Sequence, residues 1–271
     1  MSGARPAYWG LVLAASAILM ITMGVRQSLG LYVSPINSAT GVGIVAISFA
    51  LAIGQFVWGA AQPLFGMLAD RVGNARVVVI GAVLLALGLA ATPFVDSTLG
   101  LALCLGVVSA AGAGAGSFSI LIGAAAKRLP AERRAFASGF INAGGSFGQF
   151  VFAPLSQALI SAYGWMVALW AMAIAALATI PLAKPLRDAP GPAAPPGPGE
   201  ERGLKAQLAV SFSDPSYWCL HLGFFTCGFH IAFLVTHLPG EVGLCGLAAT
   251  VSAASLAIIG LSNIVGSVRC V

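Results

Sequence analysis

The feature that most constrains this chain is a succession of nearly uncharged apolar runs, each close to the ~20 residues a helix needs to cross hydrocarbon. They read as helices over residues 9–33, 44–68, 76–95, 98–125, 135–160, 163–183, 215–238 and 246–268. Charged residues make up only 8% of the 271 and hydrophobic residues 59%, whereas a soluble domain carries roughly 25% charge. So few charges cannot cover a water-facing surface, and the expected solvent is the lipid bilayer. The run after Arg5 is too long for a signal-peptide core and lacks a cleavage site, so it is expected to remain as the first span.

The net charge of +5 is not a nucleic-acid footprint, which needs Lys and Arg gathered on one face with aromatics between them. Here the cations stand between the apolar runs. Arg5 precedes the first helix, and Arg71 and Arg76 follow the second. Lys127, Arg128, Arg133 and Arg134 follow the fourth, and Lys184, Arg187, Arg202 and Lys205 the sixth. The opposite loops, over 34–43, 96–98, 161–164 and 239–243, hold no Lys or Arg. Cations in short loops stay on the cytoplasmic side, so the expectation is a multi-pass protein of the cell inner membrane with both termini cytoplasmic. Of the remaining cations, Arg269 stands at the chain end and Arg26 alone lies inside a span.

Between the sixth and seventh helices the composition turns to Pro, Gly and charge (APGPAAPPGPGEERG), which cannot build a core. The organisation read from this is a six-helix N-terminal half over 1–187, a cytoplasmic linker over 188–213, and a partial second half over 214–271. The expected fold is therefore all-α membrane: a six-helix bundle plus two helices of an incomplete second bundle. Six helices, a long loop and more helices is the plan of carriers built from two six-helix halves, against which this chain reads as truncated, four helices short. Its 34 glycines let helix backbones approach closely in lipid.

The stretch Gly66-Met-Leu-Ala-Asp70-Arg71-Val-Gly73-Asn-Ala-Arg76 resembles the GxLxDRxGxR gating loop of the major facilitator superfamily, departing from it at Asn74 and Ala75. Within that superfamily, the stretches Gly24–Leu31, Ala143–Gln149 and Phe224–Pro239 resemble the monocarboxylate-porter branch, which includes oxalate/formate exchangers. The resemblance covers essentially the whole chain. It implies a major-facilitator-like fold, secondary transport by alternating access, and a role for Gly66, Asp70, Arg71, Gly73 and Arg76 in cytoplasmic gating. The charge cluster would latch helix ends, and the glycines would permit a tight loop. The second gating loop of that branch, and the cations it carries in helices eight and eleven, have no counterpart here.

Arg26 is the first candidate for chemistry, because a guanidinium at membrane depth is costly and normally faces a cavity or partner. Counted from Leu11 it lies roughly 22 Å into a ~30 Å core, in the outer half. Facing a cavity it suits a carboxylate; otherwise it snorkels to the outer headgroups. Thr22, Arg26 and Gly30 share one stripe. Ser48, Gln55 and Gln62 form a polar stripe on helix two, and Asn142, Ser146 and Gln149 another on helix five. Gln55, Asn142 and Gln149 join Arg26 as substrate-binding candidates, with interhelical hydrogen bonding as the alternative reading. His230 and His237, two turns apart on helix seven, are proton-coupling candidates, or neutral packing groups.

No enzyme is read here. Gly144-Gly-Ser146-Phe-Gly148 fits GxSxG but lies mid-helix, where no nucleophile elbow forms, and its glycines match helix packing. The Gly112-Ala-Gly114-Ala-Gly116 run has no strand before it. Five cysteines without CxxC or a His at zinc spacing read as packing residues, so neither metal nor cofactor is expected. The leading function is a secondary carrier of small organic anions, monocarboxylates or dicarboxylates, by exchange (an antiporter) or proton-linked movement. The alternatives are a drug or neutral-solute exporter, and a non-functional truncated product; the chain alone is expected to be inactive.

Overall fold

The computed structural model describes residues 5–187 and 204–269. The Pro/Gly stretch 188–203, with Arg202, and Cys270 lie outside the described residues. All eight expected segments are helical, and no strand occurs among the described residues. The chain divides into two compact units, Met1–Asp188 with Val235–Val271, and Ala189–Leu234.

In the first unit, α1 (Arg5–Gln27) passes through a 3-10 turn (Leu29–Tyr32) into α2 (Val33–Thr40), followed by α3 (Ile44–Val72) and α4 (Asn74–Ala91). The fourth segment is composite: α5 (Thr98–Leu101), a π-helical stretch (Ala102–Ser109), α6 (Ala110–Ala115) and α7 (Phe118–Ala126). Next come α8 (Ala131–Tyr163), α9 (Trp165–Leu177) and α10 (Thr179–Leu182). The end of α12 (Pro215–Leu244) and α13 (Ala249–Arg269) complete the unit.

Small residues explain which helices touch. α1 and α8 run side by side with Gly24 facing Gly148: a Cβ on Gly24 would stand 2.8 Å from the Gly148 carbonyl oxygen. The GxxxG pair Gly144 and Gly148 likewise faces the α1 backbone at Ser16 and Met20. Gly81 of α4 and Gly112 of α6 approach each other in the same way. Such contact gives association where lipid removes the hydrophobic drive between helices. A buried cluster, including Leu11, Ile18, Val78, Leu121, Ile141 and Leu186, fills the space among α1, α4, α7 and α8. Thr22 adds a cross-link, donating to Gly116 O at 3.0 Å where the fourth segment is interrupted.

Several expected boundaries move. Residues 34–40, expected in a loop, form α2, because Pro35 sits in the first helical turn, where its missing N–H removes no bond. Residues 239–243, also expected in a loop, continue α12 through Pro239. That proline has no N–H for the Val235 carbonyl, which packs instead against Gly30. Residues 66–72 are the last turns of α3 rather than a loop. The break is confined to Gly73, whose φ of 92° only glycine adopts readily. Gly66 thus sits inside a helix with open space around it.

Among the described residues, seven stretches are long and apolar enough to cross a bilayer. The 33-residue α8 is not one of them, although sequence patterning marks it as a span. Its glycines and its Asn142, Ser146, Gln149, Ser156 and Gln157 lower its apolarity, and Gly145, Gly148, Gln149, Ser156 and Gln157 are buried.

The second unit holds α11 (Leu204–Ser213) and α12 as far as Leu234. The last ten residues of the expected linker are therefore helical. Asp214 caps α12 by accepting from Ser216 N at 2.8 Å. Trp218 Nε1 donates to Phe212 O at 2.9 Å, closing the turn between the helices.

Candidate functional site

Arg26 lies in the last turn of α1, half-buried. It does not reach outward alone. Its Nη2 donates to Gln55 Oε1 of α3, and its Cζ stands 4.0 Å from the centroid of the Trp58 ring, one turn further along α3. No Asp or Glu among the described residues pairs with it. The register that brings α3 here is set by its contact with the fourth segment, where a Cβ on Gly106 would stand 2.7 Å from the Ala50 carbonyl oxygen.

Beside the guanidinium is a cavity of about 30 Å³, enough for a water molecule. Its walls are Arg26, Gly30, Gln55, Ser109 and Thr236 with leucines and alanines between them. On the other side of Trp58 along α3 begins a wider cleft of about 550 Å³, lined by Gly59, Gln62, Asp70, Asn74, Ser119 and Lys127. There Ser119 Oγ donates to Gln62 Oε1 at 2.9 Å.

Of the expected substrate-binding residues, the structure thus brings Arg26 and Gln55 together. Gln149 lies elsewhere, on the face of α8 that meets Gly260 of α13. It is 0% exposed, and neither amide atom has a hydrogen-bond partner among the described residues. Asn142 is exposed. His237 is half-buried next to Thr236, whereas His230 belongs to the second unit and is exposed there. Trp58, Ser109 and Thr236 were not marked by the sequence. The available signal for Trp58 was its position three residues after Gln55, on the same helix face.

The residues expected to gate gather at one end of the first unit. Asp70 pairs with Lys127 at 2.8 Å, Arg76 Nη1 donates to Val72 O at 3.4 Å, and Arg71 is exposed in the last turn of α3. At that same end Arg128 donates to Pro185 O at 2.7 Å and Arg133 to Tyr8 Oη at 3.1 Å. With side chains 69% and 58% exposed, Asp70 and Lys127 form a surface pair worth less than about 1 kcal/mol. Asp70→Asn and Lys127→Gln are expected to lower the melting temperature slightly and non-additively, and 1 M salt to abolish the difference. Thermal melts of both single variants and the double variant measure this; a coupling well above 1 kcal/mol would show a stronger latch.

A bundle of membrane-length helices, with one guanidinium held inside and cations tied together at one end, is the layout of a polytopic membrane carrier. Residues 11–270 match the Major Facilitator Superfamily, and the chain belongs to that family of membrane transporters. It is 29% identical over 264 residues to the oxalate:formate antiporter of Oxalobacter formigenes, covering 93% of this chain and 60% of that protein. It is 31% identical over 193 residues to monocarboxylate transporter 11 of Mus musculus, covering 69% of this chain and 43% of that one. The chain thus spans less than two thirds of the length of these curated relatives. Its fold is similar to that of a bacterial homologue of the human lysosomal transporter Spinster, with TM-score 0.70, 17% identity, and 93% of this chain matched to 59% of that one. It is also similar to a D-xylose-proton symporter, with TM-score 0.66, 15% identity, and 95% of this chain matched to 66% of that one.

Proposed function

We propose that this chain belongs to a carrier of small organic anions, mono- or dicarboxylates, with Arg26 as the anion contact and Gln55 as its aligning partner. The observation that carries this is a guanidinium at membrane depth that no carboxylate of the described chain neutralises. Burying such a charge costs several kcal/mol, and a transported anion compensates it for as long as it is bound. The names of the relatives, an oxalate:formate antiporter and a monocarboxylate transporter, point to the same solute class. The space beside Arg26 is water-sized, so entry of a carboxylate needs the lining helices to part, as alternating access provides. Gln149, whose unmatched amide is buried on the α13 side of α8, and Asn142 are not assigned to this contact. His237, close to the cavity wall, is the better placed of the two histidines to couple a proton. The Asp70–Lys127 end faces the cytoplasm of the cell inner membrane, as do both termini, because eight cations gather there.

The test is ligand-dependent stability of the purified full chain in detergent. Oxalate, formate and lactate are each added up to saturation, with xylose as a neutral control and tetraphenylphosphonium as a lipophilic cation. At 100 times Kd a bound carboxylate adds about 2.7 kcal/mol, a rise of several degrees in melting temperature. Stabilisation by the sugar or the cation, with none by any carboxylate, would overturn the proposal in favour of an exporter of neutral or cationic solutes.

A further inference from the structure

The stack on Arg26 accounts for the ring of Trp58 but leaves its N–H unexplained. Nε1 is buried and has no acceptor among the described residues. Other tryptophans of this chain are satisfied: Trp170 Nε1 donates to Ala90 O at 3.2 Å and Trp218 Nε1 to Phe212 O at 2.9 Å. A buried donor without an acceptor is costly, and such exceptions call for a reason. What surrounds this one is more donors. A guanidinium has five N–H groups and no acceptor, and the side-chain acceptor given to it here is Gln55 Oε1. Arg26 and Trp58 together therefore form a place short of oxygen acceptors and of negative charge.

Their position adds a second argument. Along α3, Gln55 lines the small cavity and Gly59 lines the wide cleft, with Trp58 between them. Arg26 itself lines the small cavity, so its stacked partner Trp58 stands next to that space on α3.

We propose that Trp58 is the second donor of the anion site. One carboxylate oxygen is received by the Arg26 guanidinium and the other by Trp58 Nε1–H, while the indole face holds the guanidinium flat by a cation–π contact. This rests on the reading of Arg26 as the anion contact and adds a selectivity element to it. A carboxylate has two oxygens to meet these two donors, held side by side by the stack of Arg26 on the Trp58 ring, whereas a neutral or cationic solute gains nothing from them. Trp58 then favours a two-oxygen anionic head over single-atom anions such as chloride, which gain nothing from its N–H.

The experiment measures oxalate and formate binding to the full chain, wild type and two variants. Trp58→Phe keeps a ring for the cation–π contact and removes the N–H. Trp58→Leu removes both. Loss of one hydrogen bond to a charged acceptor is expected to weaken oxalate binding about tenfold or more in Trp58→Phe, leaving chloride binding unchanged, and Trp58→Leu is expected to weaken both. In parallel, the ¹⁵N-indole spectrum of the wild-type chain, with its five tryptophans, should show one N–H resonance moving downfield as oxalate is added. That resonance should be absent from Trp58→Phe. If no carboxylate binds the wild type, the anion reading itself falls and this one with it. If oxalate binds the wild type and no indole N–H moves, or Trp58→Phe binds as well as wild type, only the role of Trp58 falls. The spectrum of the wild type decides the matter even where a variant does not fold.

Discussion

Replacing Arg26 by Ala is expected to abolish the rise in melting temperature given by carboxylates, weakening oxalate binding at least about 100-fold, without lowering the stability of the ligand-free chain by more than about 1 kcal/mol. The two halves of this result have separate causes. Each charge-assisted hydrogen bond to a carboxylate contributes about 1.5–3 kcal/mol, and a guanidinium can direct two of its N–H groups at the oxygen it holds. Losing both, with the charge itself, removes most of the affinity of a small anion. In the ligand-free chain the same guanidinium is partly buried without a counter-charge. Its desolvation, several kcal/mol, opposes what it gains from Gln55 and from the Trp58 face, so its removal is nearly neutral. A residue kept for packing alone shows the opposite pattern, with lost stability and unchanged binding. Arg26→Lys retains the charge but not the planar fork, and about tenfold weaker binding is expected of it. Calorimetric or melting titrations with oxalate on the three proteins measure all of this. Wild-type affinity in Arg26→Ala would place Arg26 outside the site.

The helices were legible in the sequence because twenty uncharged apolar residues have few other uses, and the glycine stops at Gly41, Gly73 and Gly164 lie where φ is positive. The ends at 34–40 and 239–243 were less legible, and a proline stands in each of these helical extensions. Pro35 costs nothing in a first turn, and Pro239 is tolerated because the carbonyl it frees packs against Gly30. The hydropathy of α8 also understates it, since a helix wrapped by α1, α9 and α13 can replace apolar residues with small and polar ones. That Arg26 meets partners inside the bundle was legible for an energetic reason: a charge in an apolar span must meet something. Its partner was not. Gln55, Gln62, Asn142 and Gln149 are equivalent in sequence, and only the register between helices, fixed by Gly24 against Gly148 and Gly106 against Ala50, selects Gln55 for Arg26, hands Gln62 to Ser119 and turns Asn142 outward. Trp58 was hidden because an aromatic in an apolar helix reads the same whether it meets lipid or a guanidinium.

That dependence on register gives the second large effect, at Gly148. In an open helical position Gly→Ala stabilises, by roughly 0.5–1 kcal/mol in soluble helices. Gly123 of α7 has nothing within 4 Å of where a Cβ would stand, so Gly123→Ala is expected to raise the melting temperature or leave it unchanged. At Gly148 the added methyl falls on the Met20 carbonyl of α1, a backbone atom that cannot rotate away. Gly148→Ala therefore forces α1 and α8 apart, at an expected cost of about 3 kcal/mol or more, the upper end of what overpacking does, because small-residue contact is what associates helices in lipid. The separation reaches the site as well, since Arg26 is carried by the last turn of α1 while Gln55 and Trp58 stay with α3. Gly148→Ala should then lose carboxylate stabilisation along with folded yield, although residue 148 lines neither cavity. Melting curves and size-exclusion profiles of the two alanine variants, run side by side, read the sign of each change. Equal effects at Gly123 and Gly148 would mean that the α1–α8 contact does not set the register on which the site depends.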